Sequence, residues 1–265
     1  MDDDQGCLTL GSKELPILWP RDFFAWLWNT ERFSGWVSQR DASTACRDFW
    51  GECEHLSFYS KLGLRRSDHS KVVPLVWHTD GVKMYRNSKE WVYSCASACR
   101  KGTSLRTKFV VLVLRETLVI KFKTHDAIGR LIGCIMDCLL TGLYPEKDWN
   151  GSDFHPGSVQ AQRAGTPFAG GWRVAFAGFK SDLEARVLIH KFVQNWTSTA
   201  MCERCPASRL CGEYSFGDFR LDAAYLRDAY SHEDYLRTCP ASRLSAWTHV
   251  RGWEIHRNLE DPRLI

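Results

Sequence analysis

Asp80 and Asp182 are the residues whose type and placement best suit chemistry. Val72-Val73-Pro74-Leu75-Val76-Trp77 runs into His78-Thr79-Asp80-Gly81, and the largely apolar stretch 171–179 runs into Lys180-Ser181-Asp182. An apolar run closed by polar residues and glycine predicts a strand followed by a turn. Carboxylates brought from distant positions to adjacent strand ends can share a hard divalent cation, because Mg²⁺ or Mn²⁺ takes carboxylate oxygens, keeps several waters and needs few protein ligands. Two such ions, ~3.5–4 Å apart, stabilise the attacking and leaving oxygens of a phosphodiester. The plainer alternative is structural: Asp before Gly is a turn signal, and Ser181-Asp182 can cap a following helix. His78, two residues before Asp80, is read chiefly as a packed or partly exposed side chain.

Cysteines supply a second candidate site. Cys202 and Cys205 have the spacing of half a zinc site, with Cys211 and Cys239 as further ligands and His190 or His232 as weaker ones. Cys-Pro-Ala-Ser-Arg-Leu occurs at both 205–210 and 239–244, which gives Cys239 the same local context as Cys205. The alternative is a pair of loop thiols. Cys7, Cys46, Cys53, Cys95, Cys99, Cys134 and Cys138 are scattered or lie on apolar stretches, where thiols act as small hydrophobes. A third group, Arg100, Lys101, Arg106 and Lys108, could contact phosphates, although a solvated hairpin tip is the commoner role of such a cluster. The sequence carries no Gly-rich phosphate loop, nucleophile elbow or His-Glu-x-x-His motif.

These residues need elements to position them. The segment 15–37, rich in Trp and Phe and carrying Pro20 near its start, predicts an aromatic docking helix. Residues 47–71 read as a linker or irregular lobe. Strands are expected at 72–77, 91–96, 109–114 and 171–179, with 118–120 extending the third; the fully apolar run 109–114 suggests a central strand. Between the third and fourth strands, 125–143 repeats apolar residues at helical spacing, with Thr124 as N-cap and Gly142 near the C-terminal end. A polar, Gly-rich loop follows over 144–171, and a second helix is expected from Leu183 to Trp196. The order strand, strand, strand, helix, strand, helix is that of an RNase H-like α/β fold. It divides the chain into an N-terminal helical or irregular segment (1–71), a core (72–200) and a Cys-containing C-terminal region (201–265).

Bulk composition permits this reading without requiring it. The chain has 265 residues, 44% hydrophobic and 25% charged, enough for a buried core. Twelve Trp suit packing and, on a groove surface, base stacking. A net charge of +4 accommodates a polyanion. No apolar run reaches 18 residues, and the start MDDDQG is acidic where a signal peptide is basic, so the expectation is an intracellular protein with no membrane partner. Eleven cysteines in that setting are reduced or metal-bound rather than paired.

Read together, the segments resemble a known family. Residues 73–81, ending in Thr79-Asp80-Gly81, resemble the first acidic motif of CACTA (En/Spm-like) transposases. Ser181-Asp182-Leu183-Glu184-Ala185, followed by Cys202-Glu203-Arg204-Cys205-Pro206, resembles the second. Residues 139–148, 164–167 and 170–172 look like a transposon-derived family multiplied in unicellular algae, and the resemblance covers roughly 15–265. It implies a DDE-type phosphoryl transferase that uses Mg²⁺ or Mn²⁺ on DNA ends in the nucleus, with Asp80 and Asp182 as the first two acids and the oligomeric state open. The third acid is expected near 251–261, where Asp261 is followed by Pro262-Arg263-Leu264 and the family's His is missing, as in a truncated copy. Glu184 stands too close to Asp182 to replace it. Two other classes stay open: a catalytically silent DNA-binding or interaction module, and a zinc-stabilised structural protein.

Overall fold

The structure is a computed structural model describing residues 16–85, 88–120, 123–148, 151–191, 199, 201–202, 205–238, 247 and 250–251. Four helices come first, α1 (Pro20–Asn29), α2 (Phe33–Val37), α3 (Ala42–Cys53) and α4 (Ser57–Leu62). A hairpin follows, β1 (Val72–Tyr85) and β2 (Ser88–Ser97), then the short α5 (Ser104–Thr107) and β3 (Lys108–Arg115). The long α6 (Lys123–Thr141) and short α7 (Val159–Arg163) lead to β4 (Arg173–Ser181) and α8 (Leu183–Leu188), and α9 (Ala224–Arg227) and α10 (His232–Thr238) close the described chain. The strands form one mixed sheet in the order β3-β2-β1-β4; β1–β2 and β2–β3 are antiparallel, and β1–β4 is parallel. The protein is therefore mixed α/β, a four-stranded sheet with flanking helices.

One face of the sheet is dry. Leu75 and Trp77 of β1, Trp91, Tyr93 and Cys95 of β2 and Phe176 and Phe179 of β4 are all buried. They meet α6, whose Ile128, Ile132, Ile135, Met136 and Leu139 recur at three- and four-residue spacing and are buried in turn. The Trp77 indole N–H donates to the Met136 sulfur at 3.2 Å, and the Tyr93 hydroxyl is 2.5 Å from His125 Nδ1. The same hydrophobic cluster continues into Phe24, Phe33, Trp36 and Trp50, so the N-terminal helices share the sheet's core.

Several expectations are corrected. The single aromatic helix is two, because Glu31 takes a positive φ of 59° and the Thr30 hydroxyl donates back to the Trp26 carbonyl. Residues 47–71 are not a linker: α3 and α4 run through them, followed by a 3₁₀ turn over Arg66–Lys71. The buried stripe of α3 is Ala42, Ala45, Cys46, Trp50 and Cys53, mostly small residues that carry little hydrophobic signal. The third strand lies at the edge of the described sheet, not its centre; Val110 and Val113 are exposed, and Leu18 N–H donates to the Val111 carbonyl along that edge. Residues 118–120 do not extend that strand, since Glu116–Leu118 make a 3₁₀ turn. Thr124 lies inside α6 rather than capping it, and its hydroxyl accepts from the Ile120 N–H.

Gly142 ends α6 as its position suggested, with φ +75°. A Cβ there would stand 2.9 Å from Arg173 Cγ and 3.1 Å from the Trp172 carbonyl oxygen. Gly142→Ala is therefore expected to cost about 1–3 kcal/mol through left-handed backbone strain and the clash with the start of β4. Urea unfolding of the two proteins side by side checks this, and equal midpoints would refute it.

Candidate functional site

β1 does not stop at Trp77. It continues through Asp80 to Tyr85, with Asp80 opposite Val92 of β2, so the turn expected at residues 78–81 is replaced by strand. The polar stretch stays extended because β2 on one side and β4 on the other supply its backbone partners; the β4 pairing runs as far as Thr79–Ser181. Asp182 follows Ser181 immediately and leaves the sheet to cap α8, its Oδ1 accepting the Ala185 N–H at 2.7 Å. Capping engages one carboxylate oxygen and leaves the other for a different partner.

A bulge creates this alignment. Leu75 pairs with Phe176 but Val76 pairs with Gly178, so Ala177 is an extra residue in β4. Without it every later β4 side chain would change faces. Phe179 would turn out of the core and Lys180 into it, and Ser181 rather than Asp182 would come level with Asp80. With the bulge, Phe179 and Ser181 are buried while Lys180 sits beside His78 on the opposite, wetter face.

That face carries a groove of 800 Å³ lined by Asp80, Asp182, His78, Lys108, Lys180, Arg40, Arg100 and Lys101, with Cys99 and Asp48 on its wall. Burial holds the His78 imidazole below its usual range, and Lys108 and Lys180 push the same way against Asp80 and Asp182. Burial also lowers the Lys108 ammonium, opposed by the nearby Asp80 charge. The groove thus mixes four acids, Asp48, Glu52, Asp80 and Asp182, with five cations, of which Arg40 is paired with Asp48 at 3.1 Å. Three members of the predicted basic cluster, Arg100, Lys101 and Lys108, line the groove, whereas Arg106 is exposed on α5 outside it. Arg100 also donates to the Gly35 carbonyl, which ties the groove wall to α2. Sequence reasoning missed Arg40 and Lys180. Strand alternation could have found Lys180, which stands two residues before Asp182.

Glu184 is engaged elsewhere. Its carboxylate pairs with the Lys89 ammonium, which also lies 4.2 Å from the Trp91 ring centroid. Gly81 makes room for that lysine, since a Cβ there would fall 2.0 Å from Lys89 Cε.

The zinc candidates are less gathered. Cys202 and Cys205 are partly buried, Cys211 is exposed, and Cys239 lies outside the described residues, as does the second copy of the hexamer. His190 is fully buried and stacked on Phe179 at 4.3 Å, and His232 is buried at the start of α10. Among the described residues no group of three or more His, Cys, Asp or Glu side chains is arranged to hold a metal ion. The expected third acid, near 251–261, falls almost wholly outside the described residues. Among those described, no helix is long and apolar enough to cross a membrane.

Comparison with protein-family models, curated proteins and solved structures returns no match. The functional reading therefore rests on the groove itself.

Proposed function

We propose that the groove binds a nucleic-acid backbone and that Asp80 and Asp182 hold a divalent cation at its end, as in an RNase H-like protein related to DDE transposases. The observation that carries this reading is the placement of Asp80 on β1 and of Asp182 immediately after the neighbouring parallel strand β4, in one groove with Lys108, Lys180, Arg100 and Lys101. An RNase H-like core requires its first and fourth strands to be neighbours, and β1 and β4 are. The donor set suits Mg²⁺ or Mn²⁺: two carboxylates from separate elements, with water completing the shell. When bound, such an ion polarises a phosphodiester and activates the attacking water or hydroxyl. The chain's own contribution is to fix the two carboxylates, through the β1 ladder for Asp80 and the α8 cap for Asp182. The basic side chains neutralise phosphates on either side.

A second reading, a catalytically silent DNA-binding module, is favoured by the engagement of Glu184 with Lys89 and by the lack of a third converging acid among the described residues. One experiment separates them. Calorimetric titration with Mn²⁺ should show binding to the wild type and a loss of at least tenfold in Asp80→Asn, and nicking of branched DNA should require Mn²⁺ or Mg²⁺ and vanish in the variant. DNA binding without metal binding or nicking would select the silent module. Lys108→Ala should reduce the slope of log K against log salt by about one in either case, and an unchanged slope would remove the groove from both readings.

A further inference from the structure

Two thiols from elements far apart in the sequence meet at the wall of the groove. Cys46 lies in the middle of α3 and is fully buried; Cys99 lies just after β2, partly exposed, where it lines the groove. The two thiols interact, and Cys99 Sγ donates to the carbonyl oxygen of Ala45, the residue before Cys46, at 3.5 Å. The Cys99 backbone is held by the Ser97 hydroxyl at 3.2 Å, and that hydroxyl donates to the Val37 carbonyl at 2.7 Å. One sulfur is thus reachable from solvent and the other sits directly behind it. That is the arrangement of a peroxidatic thiol backed by a resolving one.

We propose that Cys99 is a site of oxidation by hydrogen peroxide and that Cys46 resolves it, giving a reversible disulfide between α3 and the end of β2. The Cys99 thiolate attacks one peroxide oxygen; the S–O bond forms, the O–O bond breaks, and the departing hydroxide leaves as water after taking a proton. Cys46 then attacks the sulfur of the Cys99 sulfenic acid; the S–S bond forms, the S–O bond breaks, and the leaving hydroxide takes the Cys46 proton as a second water. Two thiols lose two electrons, and one peroxide becomes two waters. Electrostatics support the order of events. The interaction with Cys46 lowers the Cys99 thiol against the opposing effect of its partial burial, whereas the same interaction and full burial raise Cys46. Cys99 is thus the thiol that ionises and attacks first.

Cys134 and Cys138 provide an internal comparison. Their thiols also interact, but they stand one turn apart on α6, where a disulfide would have to distort the helix.

The test uses the full chain, reduced and then exposed to hydrogen peroxide at one to ten equivalents, alkylated and digested with trypsin without reduction. The expected product joins peptides 41–47 and 90–100, with fragment ions assigning the link to Cys46 and Cys99 rather than Cys95. Dithiothreitol should remove it. Cys46→Ala should leave Cys99 as a sulfenic acid that dimedone traps, and Cys99→Ser, a milder change at a partly exposed position, should leave Cys46 reduced. A wild-type map in which Cys99 stays reduced while other thiols oxidise would overturn the proposal. So would one in which Cys99 advances to sulfinic acid with Cys46 still alkylatable. The readout is a covalent link, so it stands or falls independently of metal and DNA binding.

Discussion

Trp77→Ala is expected to lower stability by about 3–5 kcal/mol, the cost of emptying a large aromatic site that its surroundings cannot refill. Trp77 is fully buried on the central strand, between α6 and the Trp247 ring, whose centroid lies 5.9 Å away in an edge-on arrangement. Its indole N–H is satisfied by the Met136 sulfur, so the substitution removes packing from β1 and α6 together. Since a protein of this kind is stable by only about 5–15 kcal/mol, the loss should be visible as a large fall in the urea midpoint. Trp77→Phe should recover part of it. Trp26→Ala, at a site 47% exposed on α1, should change the midpoint little. A Trp77→Ala protein within 1 kcal/mol of the wild type would mean that β1 is not the centre of the core.

Acidification should have an effect of similar size. His125 and His190 are both buried on the helix-covered face, at 2% and 0% exposure. Burial holds His125 at about 4, with Asp126 opposing, and His190 at about 3, with the Arg186 and His125 charges acting in the same direction as burial. In the unfolded chain each titrates near 6.5. Between that value and the folded one the unfolded state binds the extra proton and the folded state does not, so stability is full above about pH 6.5 and falls as the pH drops toward 4. The slope is about 1 kcal/mol per pH unit for each histidine, on the order of 5 kcal/mol in all by pH 4. Urea midpoints at pH 7.5, 6.0, 5.0 and 4.5 would trace it. His125→Gln, which keeps a hydrogen-bonding partner for the Tyr93 hydroxyl, should flatten the slope by about one proton's worth. A wild-type midpoint constant from pH 6.5 to 4.5 would rule out the buried neutral histidines.

The groove and the core are two sides of one sheet, and this explains how a mildly basic chain can present a focused site. The net charge is only +4. Lys108, Lys180, Arg40, Arg100 and Lys101 nevertheless come from four separate parts of the chain to line the groove that holds Asp80 and Asp182, where Asp48 and Glu52 offset part of their charge. Local concentration of charge, not total charge, governs what such a surface attracts.

How much was legible beforehand depends on whether the cause was local. The strands 91–96 and 171–179, the amphipathic helix after residue 124 and the glycine that ends it were readable because periodicity and turn chemistry act within a few residues. The helix of 42–53 was not, because its buried stripe is mostly Ala and Cys, with Trp50, rather than Leu and Ile, and α4 is too short to show a helical period. Nor was the edge position of β3, because the apolar run 109–114 looks the same whether its outer face meets protein or solvent.

The sequence alone determined which segments could be strands and helices, and which acids and thiols were available, since those follow from side-chain type and short-range spacing. Only the tertiary structure decided that β1 runs on through Asp80, that an extra Ala177 brings Asp182 level with it, that the basic residues share their groove, and that Cys46 lies behind Cys99. Each of these depends on hydrogen-bond register or packing between residues tens of positions apart, and no local pattern encodes which partner will be there.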